Sequence, residues 1–566
     1  MLQNLPSSTE NLLKWTWVEI EPYYKELKDR PLTEENVNAW LKDWSDLSRH
    51  VSEINWRLEV LTTVDTSNKK SEEALKKFFD KIFPNMQKGE NDLKKKLLES
   101  GLEPKGFEIA LRNMRAEADL FRDENLPIIS EEQKICLDYD KIAGAQTVLW
   151  EGEERTIMQM SPLQLENDRA IREKAFKLVI ERQFADFESL GEVWSRLMPL
   201  RRKIAENAGK KDYREYMWQQ KLRFDYTPQD AKSFHNAIEE VVVPAVVRAY
   251  ERRRKRLNVD TLRPWDTKVD QFGNEPLRPF KTMDELNAGT KLIFDNVDPE
   301  LGRRFQVMID EGLLDLDNRK NKAPGGYCTM FPVSNRPFIF MNSVGTHQDV
   351  QTLLHEGGHS FHVFETANID LIHNINTPME FNEVASMAME LLASPKLIES
   401  GMYTESETAR ARIEHLEICL LLWTLLAQAD AFTHWIYENH DLATDPVKCS
   451  EQWSLLHDRY MAGPDWSGLE QYKAASWQAI LHFYKYPFYI IEYALAQLGA
   501  AQIWANSLTD YEGAVKAYRK ALSLGSTVTL PELYNAANAK FAFDAPTLKR
   551  SVDLMEQIIE DMESKL

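Results

Sequence analysis

The sequence predicts a mainly α-helical protein with one small β-sheet. Three observations predict it: apolar residues recur at helical spacing along most of the 566 residues, β-branched runs are few, and the one clearly β-prone stretch lies at Ala323–Asn342. At 43% hydrophobic and 28% charged residues the chain has the composition of a folded protein. Length alone allows about three or four domains, or about two larger ones. The balance of 69 Lys+Arg against 89 Asp+Glu, a net charge of −20, opposes a partner that must be tracked through its phosphates, so nucleic-acid binding is set aside. The four cysteines, Cys136, Cys328, Cys419 and Cys449, lie far apart with no CxxC spacing, which gives neither a disulfide framework nor a thiolate zinc site. Residues Met1–Glu10 lack a basic region followed by an apolar one, and the longest strongly apolar stretch, Ile418–Ala427, is about half of what a bilayer span requires. A cytoplasmic, non-membrane protein is expected.

Taken in order, Asn11 to about Arg201 alternates charged and apolar residues between turn signals at Asp29–Pro31, Phe83–Asn85, Ser100–Pro104 and Ser161–Pro162. This reads as antiparallel helical hairpins. Val241–Tyr250 runs on into the basic cluster Arg252–Arg256, read as a solvated helix face. No internal repeat or low-complexity segment interrupts the pattern. Gly325–Phe331 and Pro337–Asn342 are then two β-prone runs joined by a hairpin loop at Val333–Arg336.

Directly after them comes His355-Glu-Gly-Gly-His359, an HExxH pattern. On a helix, residues i and i+4 share a face, so both imidazoles can reach one cation with Glu356 beside it. Thr346 and Asp349 form a variant capping box, and Val350, Leu353, Leu354 and Phe361 supply an apolar stripe, so the helix is expected independently of the motif. By chance the pattern arises in about one chain in fifty of this length, so its surroundings must decide. Gly357 and Gly358 each cost a helix interior about 1 kcal/mol relative to Ala, which makes sense where backbone or substrate must come close. A catalytic zinc needs three protein ligands and an open position. Thr377–Glu380, with Pro378 at the first helical position, starts another helix, ended by Ser394-Pro395. Glu383 and Glu390 lie on one face of it, among residues of a buried helix, where a carboxylate is costly unless paired or metal-bound. Glu383 is the candidate third ligand. Glu390 is either a carboxylate orienting an imidazole or a helix-face ion pair. His362 is read as a core or supporting residue rather than a ligand, and His373 is left without a role.

The run His355-Glu-Gly-Gly-His-Ser-Phe-His362, followed by Asn382-Glu-Val-Ala-Ser386 with 23 residues between His359 and Glu383, resembles the M3 metallopeptidases, most closely their oligoendopeptidase F-like bacterial branch. Ala208–Tyr216, Arg223–Pro228, Leu262–Asp266, Asp349–Leu353, His482–Gln497, Leu524-Gly525 and Leu530–Leu533 look like further landmarks of that family, so the resemblance covers about residues 200–545. It implies a two-lobed helical shell around a deep channel that admits short peptides, with one zinc ion per chain on its floor. The domains expected are an amino-terminal helical lobe, 1–200, and a catalytic region, 201–566. His355, His359 and Glu383 would be the ligands and Glu356 the general base.

The segment His482–Tyr493 offers hydrogen-bond donors for a developing oxyanion in His482, Tyr486, Tyr489 and Tyr493, which recur at helix-compatible spacing; Tyr484 is read as packing. The family carries substrate and transition-state contacts at the corresponding positions, although Ile490-Ile491 stand where relatives often carry another Tyr. The expected activity is zinc-dependent hydrolysis of internal bonds in short peptides. The strand edge Pro337–Asn342 would hold the substrate backbone, and the Gly325-Gly326 loop would approach it or form a simple turn. The alternatives are a metallo-carboxypeptidase or dipeptidase, an inactive peptide-binding scaffold, and a di-iron bundle, which the lack of a second ExxH element disfavours. Oligomeric state is not readable from the sequence.

Overall fold

Threonine caps start many of the helices where the sequence places them. Thr16, Thr227, Thr282, Thr346 and Thr529 each form a capping box with an acidic residue three positions on. In the computed structural model, residues 5, 6, 8–323, 325–564 and 566 are described. Met1–Asn4, part of the stretch read above for a targeting signal, lie outside them. The protein is predominantly helical, with two small sheets among the described residues. The strands among the described residues are β1 (Thr147–Trp150), β2 (Glu153–Thr156), β3 (Leu314–Asp317), β4 (Tyr327–Phe331) and β5 (Arg336–Ser343).

The chain divides into two units interleaved along the sequence. One collects Met1–Ala118, Arg278–Arg410 and Gly499–Phe541; the other collects Asp119–Leu277, Ala411–Leu498 and Ala542–Leu566. This differs from a division at residue 200, which falls inside the helix Phe187–Asn207. The grouping rests on pairings between distant parts of the chain, which no local composition shift announces.

In the first unit, the helices Trp17–Asp29, Val37–Val64 and Phe83–Ser100 bury a core around Ile20, Trp40, Trp44, Leu93 and Leu97. At its edge His373 is sandwiched by Trp44 (ring centroids 4.4 Å) and Phe107 (5.7 Å), with its Nδ1 enclosed and without a hydrogen-bond partner. Burial, with the charges of Lys94 and Arg49, pushes its imidazole down to about 4. The neutral ring is therefore favoured in the folded protein. Stability is full above the ordinary histidine value near 6.5 and is lost as pH falls through 4. Allowing for the partial exposure of the ring, the loss should reach about 2 kcal/mol. His373→Phe should shrink the drop in urea midpoint between pH 7 and pH 4.5 by a corresponding amount, and an unchanged drop would refute this source of acid sensitivity.

The hairpin expected near residue 330 forms: β4 pairs antiparallel with β5 from Tyr327↔Phe340 to Phe331↔Arg336. β3 was not expected. It pairs parallel with β5, so β5 is the central strand of the order β3-β5-β4. Both edges of β5 are occupied, and the expected addition of a substrate strand at Pro337–Asn342 is ruled out by its own neighbours.

In the second unit, Asn125–Gly144 packs on Phe187–Asn207, and Pro228–Arg256 packs on Ala545–Glu563. The basic cluster at the end of Pro228–Arg256 is engaged rather than simply solvated. Arg253 pairs with Glu417 (2.9 Å), Arg254 with Glu251 (2.8 Å) and Arg256 with Glu563 (2.6 Å). The hairpin β1–β2 turns on Glu151 and Gly152, both at positive φ (53° and 89°). The helix Glu405–Glu438 is long and apolar enough to cross a membrane by length and composition, but 67% of its apolar window is buried inside the protein, as in a core helix.

Candidate metal centre

The HExxH motif lies on the helix His347–Glu365, whose start is fixed by the Thr346–Asp349 capping box. The second helix, Met379–Ala393, begins one residue later than expected. Pro378 itself is the N-cap, and Thr377 donates to Asn382 Oδ1 (2.8 Å) instead of closing a capping box with Glu380. The two helices pack directly, and the adjacent glycines of the motif explain how. A Cβ on Gly358 would lie 2.3 Å from the Ala385 carbonyl oxygen and 2.7 Å from Ser386 Cα, and one on Gly357 would lie 2.5 Å from the Phe294 ring. The glycines therefore admit a neighbouring helix backbone and an aromatic ring.

That close approach brings His355, His359 and Glu383 together, with one ligating atom of each within 4.8 Å of the others. Glu383 Oε2 lies 3.5 Å from His355 Nε2 and 3.7 Å from His359 Nε2. Four ligands at zinc–nitrogen and zinc–oxygen bond lengths stand about 3.4 Å apart along a tetrahedral edge, so this spacing fits the ion. The donor set of two imidazoles and one carboxylate suits it too. His355 Nδ1 bonds Glu390 Oε1 at 2.6 Å, which fixes the ring and leaves Nε2 on the side facing Glu383. Ser386 donates to Glu383 Oε2 (3.0 Å) and to the Glu383 carbonyl (2.9 Å).

The protonation tendencies of these groups are set mainly by burial and by one another. Burial opposes charge on His355, but the bond to Glu390 and the charges of Glu390, Glu383 and Glu356 push it up to about 9. Burial and the His355 charge push His359 well down. Burial raises Glu383. Burial likewise pushes Glu356 up to about 7, with Glu383 and Glu390 adding to it and His355 and the backbone amide of Cys328 opposing. Three carboxylates and two imidazoles gathered in so small a volume favour a dication. Glu390→Gln should weaken zinc binding about 10–100-fold by replacing the charge-assisted bond to His355. A competitive chelator titration checks this, and unchanged affinity would leave Glu390 a helix-face residue.

Parts of the support carry no local sequence signal. Tyr518 donates to the Ala385 carbonyl (2.6 Å), Tyr534 to Glu380 (3.2 Å) and Tyr511 to Leu392 (2.7 Å), so three tyrosines from Gly499–Phe541 hold the backbone of the Glu383 helix. Cys328 in β4 bonds the Glu356 carboxylate through its amide and sits 3.3 Å from Ser360 Oγ through its thiol. Ser386, one turn beyond Glu383, has no pattern of its own in the sequence that marks it as a partner of that carboxylate. His362 is buried, contacts Asn382 and is pushed down to about 4 by burial; it stands outside the three-residue ligand group.

His482, Tyr486, Tyr489 and Tyr493 belong to the second unit and do not share one helix. Leu481–Lys485 ends before Tyr486, and Ile490–Ser507 begins after Tyr489. The rings nevertheless converge. His482 lies 5.8 Å from Tyr489 and 6.2 Å from Tyr486, and Tyr489 lies 5.3 Å from Tyr493. Burial and the Lys221 charge lower His482. Tyr484 packs on Tyr139 (4.3 Å), fully buried.

Residues 163–552 match peptidase family M3, and residues 12–132 match the peptidase M3 N-terminal domain. The chain belongs to peptidase family M3, a family of peptide-hydrolysing metallopeptidases. It is 23% identical to an oligoendopeptidase F homologue of Mycoplasma pneumoniae over 552 residues, which cover 88% of this chain and 85% of that protein. With the oligopeptidase PepF of Bacillus subtilis it shares 25% identity over 275 residues, 47% of this chain and 40% of that protein, less than two thirds of the relative's length. The solved structure of Pz peptidase A with an inhibitor matches with a TM-score of 0.86 and 26% identity, covering 99% of this chain and 98% of that one.

Proposed function

We propose that this chain is a cytoplasmic zinc endopeptidase that hydrolyses internal bonds of short peptides. The observation that carries the reading is the spacing of His355, His359 and Glu383 at a tetrahedral edge, with the buried carboxylate of Glu356 beside it. Zinc held there would polarise the scissile carbonyl and acidify water. Glu356 takes the proton of the attacking water and passes it to the leaving amine as the carbon–nitrogen bond breaks. Burial raises its pKa, which supports a carboxylate suited to holding that proton. Glu390 keeps His355 oriented. Tyr493 and His482 are assigned as donors to the oxyanion, and Tyr486 and Tyr489 as substrate contacts, on their donor chemistry and the family resemblance. The backbone of the substrate is assigned to the outer edge of β4, because β5 is paired on both sides and the Cys328 amide of β4 already reaches Glu356.

A mass-spectrometric cleavage map on peptides of graded length, with chelator and with zinc restored, tests the reading. Internal cuts that vanish with chelator and return with zinc are expected. Stepwise loss of terminal residues or dipeptides would make the enzyme an exopeptidase, and zinc binding without turnover would make it a scaffold.

A further inference from the structure

Between His482 and Tyr493 the backbone turns sharply, and the turn is held by means that the proposed reaction does not use. Phe488 adopts a left-handed conformation, φ +63°, which is an outlier for a bulky side chain. Such strain persists only where the surroundings over-determine it. Here its ring is 1% exposed and lies against Tyr437 (5.2 Å), His434 (5.4 Å) and Trp218 (6.0 Å).

Two buried guanidinium groups hold the backbone on either side. Arg201, fully buried, donates to Glu132 (2.7 Å), to the Tyr437 hydroxyl (2.9 Å) and to the Phe483 carbonyl (2.9 Å), and it also bonds the Tyr484 carbonyl. These two carbonyls belong to the last turn of Leu481–Lys485, where a helix has no partners of its own and a cation is favoured. Arg223 bonds the Phe488 carbonyl and pairs with Glu492 at 2.7 Å, in the first turn of Ile490–Ser507. Arg201 reaches its partners with Nε, Nη1 and Nη2, while Arg223 holds the Phe488 carbonyl and Glu492 through Nη2. Each guanidinium thus joins a turn carbonyl to another fixed group. The joint between the two helices is set by Arg201 on one side and Arg223 on the other, with the Phe488 ring as the pin.

We propose that Arg201 and Arg223 are positioning residues that lock the Tyr486–Tyr489 turn, and thereby present His482 and Tyr493 to the peptide in one fixed arrangement. This rests on the reading of His482 and Tyr493 as groups that contact the substrate. An ammonium keeps the charge but is a single, non-planar nitrogen. It cannot reproduce the bonds that Arg201 spreads over three nitrogens or the packing of the Arg223 guanidinium on Trp218 (4.7 Å) and Tyr226 (5.5 Å), so Arg→Lys isolates the positioning role.

The test uses the zinc-loaded full chain with a quenched fluorescent peptide. It compares Arg223→Lys, Arg201→Lys, Tyr493→Phe and the double variant of Arg223→Lys with Tyr493→Phe, recording zinc content and thermal midpoint beside kcat and KM. Arg223→Lys should keep its zinc and lose about 10–100-fold in kcat with a smaller change in KM. In the Tyr493→Phe background the same substitution should add less than about threefold, because the group it positions is already gone. A kcat within about twofold of the parent, or a loss that multiplies in full with that of Tyr493→Phe, would overturn the inference and leave the proposed function standing. If Tyr493→Phe and His482→Gln themselves leave kcat unchanged, the reading of this segment falls and the inference falls with it. Should Arg201→Lys fail to fold, Phe488→Gly carries the second arm. It accepts the left-handed backbone without strain but removes the pin, and it should show the same loss and the same non-additivity.

Discussion

Glu356→Gln should retain zinc and lose about 10³-fold in kcat, the scale of a lost general base. The substitution is nearly isosteric, and Glu356 is not among the three ligands, so metal content should match the parent. Burial and the charges of Glu383 and Glu390 disfavour the carboxylate that the amide replaces while a bound dication favours it, so the thermal midpoint should stay near that of the parent. The pH profile of the parent follows from the same environment. Activity needs the deprotonated base, so kcat/KM should climb with pH through the pKa of Glu356 and fall away below it. Burial, with Glu383 and Glu390, pushes that pKa up to about 7. Two positive charges at the neighbouring ligands favour the carboxylate, so the acid limb of the loaded enzyme should lie below pH 7. Zinc-loaded Glu356→Gln with parental turnover would sink the assignment of the base, and an acid limb above pH 7 would sink the electrostatic account.

Gly358→Ala should be among the most damaging single methyl groups that the chain can receive. In an open helix this change gains up to about 1 kcal/mol. Here the added Cβ would fall 2.3 Å from the Ala385 carbonyl oxygen and 2.7 Å from Ser386 Cα, both backbone atoms that no rotamer change can move. The two helices would have to part by about 1 Å to restore ordinary contact. Overpacking of this kind costs about 3 kcal/mol. It also carries Glu383 away from His355 and His359 by more than the roughly 0.5 Å that a functional constellation tolerates. Lower denaturant stability and weaker zinc binding should therefore appear together. Gly144→Ala is the matched control: nothing lies within 4 Å of a Cβ there, at the end of Asn125–Gly144, so stability should hold or rise by about 0.5 kcal/mol. Equal behaviour of the two variants would refute the close-approach explanation.

What could be read beforehand follows from how local each signal is. His355, Glu356 and His359 lie within one turn of helix and the Thr346 cap precedes them, so motif, helix and start were legible together. Glu383 stands out as a candidate because a carboxylate on an apolar helix asks for a partner. The cost of Gly357 and Gly358 was noticed, but the cause could only be guessed, because Phe294 and Ala385 are distant in sequence. β3 was missed because Leu314–Asp317 is four residues long and its pairing with β5 is non-local. The hairpin β1–β2 had a readable turn in Glu151-Gly152, which went unused. The expectation that His482–Tyr493 would share a helical spacing failed at Pro487, since a residue preceding proline is disfavoured in the α region and the chain breaks there. The rings meet anyway, through a joint that only the fold supplies.

The interleaving of the units has a consequence for how the protein is made. The helices that carry His355, His359 and Glu383 leave the ribosome well before the segment that braces them. The hydroxyl of Tyr518, which holds the Ala385 carbonyl, follows 133 residues later, with Tyr534 later still. The sheet beside those helices leans on a segment made long before, through Thr63 to the Tyr327 hydroxyl (2.6 Å) and Arg49 to the carbonyls of Pro332 (3.2 Å) and Ile369 (2.7 Å). Folding cannot proceed unit by unit as the chain emerges, as it does for domains arranged in series. The bracing of the candidate centre is complete only once Tyr518 and Tyr534 have been made and have closed on the helix that carries Glu383.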